Sequence, residues 1–142
     1  MAINPEITVE SVAERLRDSF PGDLGIEPIQ FTDEAFVGRM VVDRRHLHPG
    51  GFVHGGAWVG LADTVGAWQT FRHLPPGHDF TTVELKLNVF GPATTGDELI
   101  ATAEHLHAGR STHVIDVRVE KIGGGPIANL LITQFVLSPR ED

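Results

Sequence analysis

Asp63 is the only charged residue in the run Gly55–Gln69, GGAWVGLADTVGAWQ. A carboxylate removed from water is costly unless it is paired or put to use. His54, Gly55 and Gly56 open that run. Two chemistries fit these residues. The first N–H groups of a helix have no partner within it, and they can hold an oxygen that gains negative charge, as in acyl transfer. A carboxylate in apolar surroundings can act as general base or nucleophile, with its basicity set by what lies around it. Each feature also has a plain structural reading. A Gly-Gly pair makes a tight loop-to-helix turn, and an acid at mid-helix can be a hydrogen-bonded core residue.

The element that must position these groups is a helix from about Gly55 to His73. Trp58, Leu61, Ala62, Val65 and Trp68 recur at helical spacing. Ala57, Val59, Gly60, Gly66 and Ala67 make the other faces apolar or small, so the helix is expected to be buried all round. Trp58 and Trp68 are then core or interface residues. Leu74-Pro75-Pro76-Gly77 stops the helix. Gly55 and Asp63 lie eight residues apart on it, or about 12 Å along the axis. One bound carbonyl cannot touch both within a single chain. A second copy of the helix, antiparallel alongside, would bring Asp63 of one chain to Gly55 of the other. The spacing therefore predicts a symmetric homodimer with shared sites.

The rest of the chain reads as mostly β. Before the long helix, Thr8 to Phe20 is expected to form a first helix. Ser11 and Glu14 make a capping box there, with Thr8 a possible cap one turn earlier, and Pro21-Gly22 ends it. Strands follow at Ile26–Phe31 and Ala35–Val42, turning at Thr32-Asp33-Glu34, then a loop from His46 to Gly51. After the helix, Thr81–Val89 alternates with its odd positions apolar, which predicts one buried face and places Thr82 on the other. Glu98–His107, Thr112–Glu120 and Ile127–Leu137 complete the strands, the last two joined as a hairpin at Gly123-Gly124-Gly125. The fold class expected is α+β, an antiparallel sheet wrapped around one long helix with a short N-terminal helix. No repeat, low-complexity segment or linker divides the chain. One domain is expected over 1–142, with 1–25 as N-terminal helix and turn and 26–139 as core.

Composition narrows the function classes. At 142 residues with 41% hydrophobic and 21% charged residues, the chain can bury a real core. Asp63 and Arg72 break the longest apolar run, so no membrane span or membrane partner is expected. The N-terminus lacks a basic start followed by an apolar run, so no secretory signal is expected. The absence of cysteine removes thiol chemistry without fixing the compartment. A net charge of −8 with scattered basic residues argues against a nucleic-acid partner. The eight histidines are a high number. His46-Leu47-His48 and His105-Leu106-His107 suggest a metal, since alternate strand residues share a face. A cupin-like metal barrel would place a Glu shortly after the first pair, where Phe52 and Val53 stand, so no metal is expected.

The run His48-Pro49-Gly50-Gly51-Phe52-Val53-His54-Gly55-Gly56, followed by Leu61-Ala62-Asp63, resembles the hotdog-fold acyl-CoA thioesterases. The types it is most similar to serve phenylacetate degradation and 4-hydroxybenzoyl-CoA hydrolysis. The resemblance runs from about Phe36 to Leu137 and takes in Thr82-Val83-Glu84-Leu85, Pro92-Ala93 with Gly96, and Ala108-Gly109-Arg110-Ser111-Thr112. It implies that the Gly55 N–H polarises a thioester carbonyl and that Asp63 of the partner chain activates water or attacks directly. His54 would help shape the helix start or hold the carbonyl side. His48 stands where the family usually carries Asn or Gln; an imidazole can still donate the hydrogen bond, but it titrates near neutrality. Thr82 aligns with a Ser or Thr that touches the water, against its strand parity. Arg110, Ser111 and Thr112 match a turn that meets CoA, and Arg with hydroxyls suits phosphate contacts; a solvated hairpin turn is the simpler alternative. Lys86 reads as a solvated strand residue.

The resemblance implies a thioester hydrolase acting on acyl-CoA, needing no cofactor beyond the CoA of its substrate. It also implies a cytoplasmic homodimer paired into a homotetramer. Two competitors stand beside it. A hotdog dehydratase or hydratase would start its helix Pro-Gly rather than His-Gly-Gly and would pair its acid with a facing His. A non-catalytic acyl-CoA binding domain of the regulator kind would carry a DNA-binding segment, and the first 25 residues are short and acidic for one.

Overall fold

Six antiparallel strands curl around one long helix. The computed structural model describes residues 2–140. In chain order these are α1 (Val9–Arg15), α2 (Phe20–Asp23), β1 (Glu27–Phe31), β2 (Ala35–Val41), α3 (Gly55–Arg72), β3 (Asp79–Val89), β4 (Glu98–Ala108), β5 (Thr112–Lys121) and β6 (Gly125–Leu137). The sheet order is β1-β2-β4-β5-β6-β3, so β1 and β3 are the edges. The α3 helix packs on β2, β4, β5 and β6. Leu61, Ala62 and Val65 are inaccessible beneath it, and Trp58 and Trp68 are core residues.

Four local expectations change. The N-terminal helix is two helices. Thr8 caps the first, exchanging hydrogen bonds with Ser11, so the capping box is Thr8–Ser11 rather than Ser11–Glu14. Asp18 adopts φ 55°, which breaks the chain between the two helices. Pro21 falls in the first turn of α2, where its missing N–H costs nothing, rather than acting as a stop. A 3-10 turn at Arg44–His46 replaces the start of the expected loop. The α3 helix is also not buried all round. Gly55 and Gly56 are exposed, and Val59, Asp63, Thr64 and Ala67 are half-buried, forming one open stripe at helical spacing.

The fourth correction concerns β3. Its register with β6 shifts between Thr82 and Glu84, an extra residue on one strand. Such a bulge reverses which face the following side chains take. Before it, Phe80 and Thr82 oppose the buried Val136 and Gln134; after it, Leu85 and Leu87 oppose the buried Ile132 and Leu130. The expected apolar face therefore holds only from Leu85 onward. Thr81 and Val83 turn outward, and Thr82 turns in beneath the helix.

Two glycines let α3 lie close to the sheet. A Cβ on Gly66 would fall 2.6 Å from Ile132 Cδ1, and one on Gly38 of β2 would fall 2.5 Å from Val65 Cγ2 and 3.1 Å from the Trp68 ring. Gly38→Val would push a rigid branched side chain into α3 with no room to yield. It is expected to destabilise the fold by about 1–3 kcal/mol, the usual cost of overpacking. Urea unfolding checks this, and an unchanged midpoint would show that the helix can lift away.

Candidate active site

The start of α3 leaves one backbone donor free. His54 is the N-cap, and its Nδ1 accepts the Gly56 N–H at 2.8 Å. The ring proton therefore sits on Nε2. The His54 N–H itself donates to the His46 carbonyl at 2.8 Å, which ties the helix start to the preceding loop. The Ala57 and Trp58 N–H groups both donate to the His54 carbonyl. The Gly55 N–H has no acceptor among the described residues, and a Cβ placed on Gly55 would meet no atom within 4 Å. Gly55 is exposed at the positive end of an 18-residue helix.

His48 is held by the turn that follows it. Its Nδ1 accepts the Gly50 N–H at 2.9 Å, and its carbonyl accepts the Gly51 N–H. The imidazole lies over Gly50, where a Cβ would come within 2.6 Å of Cε1. As in His54, the bond to Nδ1 leaves the proton on Nε2. Both imidazoles that flank the helix start can thus donate from Nε2.

Asp63 is half-buried at mid-helix, and the Thr82 Oγ1 donates to its Oδ1 at 3.2 Å. Burial raises its pKa above the ordinary carboxylate value, and the Thr82 hydrogen bond opposes that rise. Sequence parity had put Thr82 on the outer face; the bulge brings it to Asp63 in the same chain. Gly55, at about 12 Å by helical rise, does not join them within one chain, but both ends lie on the open stripe. The Phe20 ring of α2 borders that stripe at Gly60, between Gly56 and Asp63, and is 66% exposed. Its place there was not legible in the sequence, because α2 merges with α1 in the periodicity. Edge strand β3 leaves Val83, Leu85 and Val89 exposed, with Phe90 just beyond.

Arg110, Ser111 and Thr112 form the β4–β5 turn at the other end of the helix. The 18 residues of α3 separate that end from Gly55 by about 27 Å. Arg110 lies between two hollows. One, of about 260 Å³, is bordered by His73, His78 and His113. The other, of about 620 Å³, is bordered by Ser111, Ser138 and Arg140. Arg140 and Ser138 were missed in the sequence because they follow the last strand and come beside Arg110 only through pairing. The Val136 N–H donates to the Ser111 carbonyl and fixes that approach.

The His-x-His pairs serve other ends. His46 is buried, with Nδ1 accepting from the Asp43 N–H and Nε2 donating to the Leu24 carbonyl, so it pins α2 to the 3-10 turn. The β4–β5 register shifts between His105 and His107, which separates them onto opposite faces. His105 turns in and joins a chain that the sequence did not reveal. The Gln69 Nε2 donates to the Glu34 carbonyl and to His105 Nδ1, and His105 Nε2 donates to His113 Nδ1 at 2.8 Å. His73 stacks edge-on against His105 and donates from Nδ1 to the Gln69 carbonyl. Among the described residues, no group of three potential ligands is arranged to hold a metal.

The pattern of the thioesterase superfamily matches residues 50–128. The structure of a Haemophilus influenzae thioesterase superposes with a TM-score of 0.93 at 26% identity, covering 99% of this chain and 98% of that one. A Pseudomonas aeruginosa thioesterase is 30% identical over 130 residues, covering 91% of this chain and 89% of the relative. The structure of a variant of it superposes with a TM-score of 0.91 at 28% identity, covering 96% of this chain and 99% of that one. A hypothetical thioesterase of Streptococcus pneumoniae, solved with coenzyme A, superposes with a TM-score of 0.73 at 26% identity, covering 82% of this chain and 88% of that one. The six-stranded antiparallel sheet around one long helix is the hotdog fold. No helix of the described residues is long and apolar enough to cross a membrane.

The histidine chain makes stability depend on pH. Burial, reinforced by His73 and His113, depresses His105 to about 3, and burial is also the main cause lowering His73 and His113. Their folded values lie below the unfolded value of about 6.5. The unfolded chain therefore binds protons that the native chain refuses. Stability is full above that value and falls as pH drops below it, by up to about 1.4 kcal/mol per pH unit for each fully refused proton. Asp63, shifted upward, opposes the trend as a single group. The midpoint of thermal unfolding is expected to drop between pH 7 and pH 5, and less so in His105→Gln. Equal slopes in the two proteins would remove His105 as the cause.

Proposed function

Since the chain belongs to the thioesterase superfamily, we propose that it hydrolyses acyl-CoA thioesters to a carboxylic acid and CoA, at sites shared between the two chains of a homodimer. The observation that carries this reading is the open stripe of α3, with an unpaired N–H at Gly55 and a half-buried carboxylate at Asp63. The Gly55 N–H donates to the thioester oxygen and stabilises it as it becomes an oxyanion. His48 Nε2–H donates to the same thioester, and His54 keeps the helix start in shape by holding the Gly56 N–H.

Asp63 of the partner chain supplies the base. It takes a proton from water, the resulting hydroxide adds to the carbonyl carbon, and collapse breaks the C–S bond. The departing CoA thiolate recovers the proton from Asp63. Direct attack by Asp63 is the other route: it expels CoA and leaves an anhydride that water then cleaves. A raised carboxylate pKa suits the base, because it brings proton affinity closer to neutrality. Thr82 fixes the rotamer of Asp63 and leaves Oδ2 for the water. Arg110, Ser111 and Thr112, with Arg140 and Ser138, are placed to meet the phosphates of CoA. Neither metal nor redox cofactor takes part in this route. The aromatic acyl-CoAs of the phenylacetyl and 4-hydroxybenzoyl type are the first substrates to try. The exposed apolar edge of β3 suits a further copy of the chain, consistent with a dimer that pairs into a tetramer in the cytoplasm.

An acyl-CoA panel assayed for free thiol tests the activity, and binding without thiol release would favour an acyl-CoA binding domain instead. Hydration of an enoyl-CoA without thiol release would favour the hydratase reading. Asp63→Asn keeps the shape, removes the charge and is expected to lower kcat by at least about 10²-fold with the fold intact. Turnover near that of the parent protein would take Asp63 out of the mechanism. Sharing is tested by mixing Asp63→Asn chains with Gly55→Pro chains, which lack the N–H donor. Each heterodimer then carries one intact site and one doubly damaged site, so activity should return to about half per dimer. No recovery in demonstrated heterodimers would overturn the shared site.

A further inference from the structure

Gln134 is fully buried on β6, on the face that meets the helix. Its Oε1 accepts a hydrogen bond from Thr70 Oγ1 of α3. Its Nε2 has no partner among the described residues. A buried N–H without an acceptor is costly, and each one in a folded protein calls for a reason. The other inward residues of this strand include Leu130 and Ile132, and a leucine would fill the same space as Gln134 without that cost.

Register shows what the amide faces. Gln134 stands directly opposite Thr82 on β3 and His113 on β5. Opposed residues of antiparallel strands point to the same side, with Cβ atoms about 4.5–5.5 Å apart, within the span of an amide. His113 Nδ1 is already occupied by His105. The Thr82 hydroxyl commits its one hydrogen to Asp63 Oδ1 and retains acceptor capacity.

The geometry points to Gln134 as a positioning residue for the Asp63–Thr82 pair: Thr70 anchors its carbonyl, and its N–H, unpaired in this structure, would reach the Thr82 oxygen by a side-chain adjustment so that the Thr82 hydrogen stays on the carboxylate. With that bond made, the donors would run one way, from Thr70 to Gln134 to Thr82 to Asp63. Each bond polarises the next, and the row supports the ionised carboxylate where burial works against it. The role of this row in turnover rests on Asp63 being the reacting carboxylate.

Few other charges reach Asp63. The α3 helix carries no other ionisable residue before Arg72, and β6 carries none. Asp79, Glu84 and Lys86 of β3 are exposed. Arg39 of β2 pairs with Glu27 and Glu98, outside the sheet. On β4 and β5, Glu104, Asp116, Arg118 and Glu120 alternate onto the outer face, while His105 and His113 turn in, with His73 beside them at the helix end. Asp23 is the one ionisable residue of α2.

The test follows the carboxyl carbon of Asp63 by ¹³C NMR through a pH titration of the full chain, with the resonance assigned by its loss in Asp63→Asn. Gln134→Leu keeps the bulk and removes the donor. It is expected to raise the Asp63 midpoint by about 0.3–1 pH unit. Thr82→Val should also raise it, and the double variant should titrate like Thr82→Val alone, because Gln134 acts through Thr82. In hydrolysis, the acid limb of kcat should move by the same amount with KM within about twofold. If Gln134→Leu does not fold, Thr70→Val releases the same amide and should give the same shift. An unmoved Asp63 midpoint in the folded variants, or shifts that add in the double variant, would overturn the role of Gln134. A parent chain that hydrolyses no acyl-CoA would sink the functional reading, while the titration would still decide the place of Gln134.

Discussion

The desolvation of Asp63 is the constraint around which the helix and sheet are arranged. A carboxylate on a helix that otherwise carries only apolar, small or neutral residues up to Arg72 destabilises its own surroundings unless it keeps some access to solvent and a donor. The structure supplies both. The stripe from Gly56 through Val59 and Asp63 to Ala67 is open, and Thr82 reaches Oδ1 from the edge strand. The result is a group held in one orientation with a raised proton affinity. An apolar helix packed on every face could not carry a free carboxylate, and a fully solvated one could not raise its basicity.

The bulge at Val83 is what connects the edge strand to that carboxylate. Without the extra residue, β3 would continue its inward face through the odd positions, and Thr82 would point to solvent. With it, the strand offers a hydroxyl at Thr82 and returns to apolar cover at Leu87. The price of this arrangement falls on an edge strand, where an interrupted ladder disturbs only one neighbour, β6.

The long helix, its lone acid, its Gly-Gly start and the strand-rich remainder were legible in the sequence because each depends on local spacing. Helical periodicity marked α3 to within a residue, and the Gly55–Asp63 separation is a matter of rise per residue. The turn residues Gly123 and Gly125, both at positive φ, marked the β5–β6 hairpin for the same reason. What escaped was set by pairing between distant segments. Period-two alternation in β3 gave the right face beyond the bulge and the wrong one before it, since a single inserted residue leaves no local signature. Gln134 and His113 look like ordinary strand residues, and His105 stood out only as half of a His-x-His pair. Only the register across three strands lines them up.

Two-fold symmetry adds a consequence for how the proposed dimer divides the helix. If Gly55 of one chain lies opposite Asp63 of the other, the axis passes near Val59, midway between them. The contact then uses the stretch from Gly55 to Asp63, where the exposed Gly55 and Gly56 allow two helix backbones to approach closely. The C-terminal half of α3 is left outside the contact, and it is this half that carries Gln69, Thr70 and His73 and packs on the buried polar row. The two halves therefore have separate tasks. The first is shaped by small residues to admit a partner and a thioester, and its polar groups face outward. The second is locked to the sheet by side-chain hydrogen bonds, and the proposed contact of Gln134 with Thr82 would carry it back to the carboxylate.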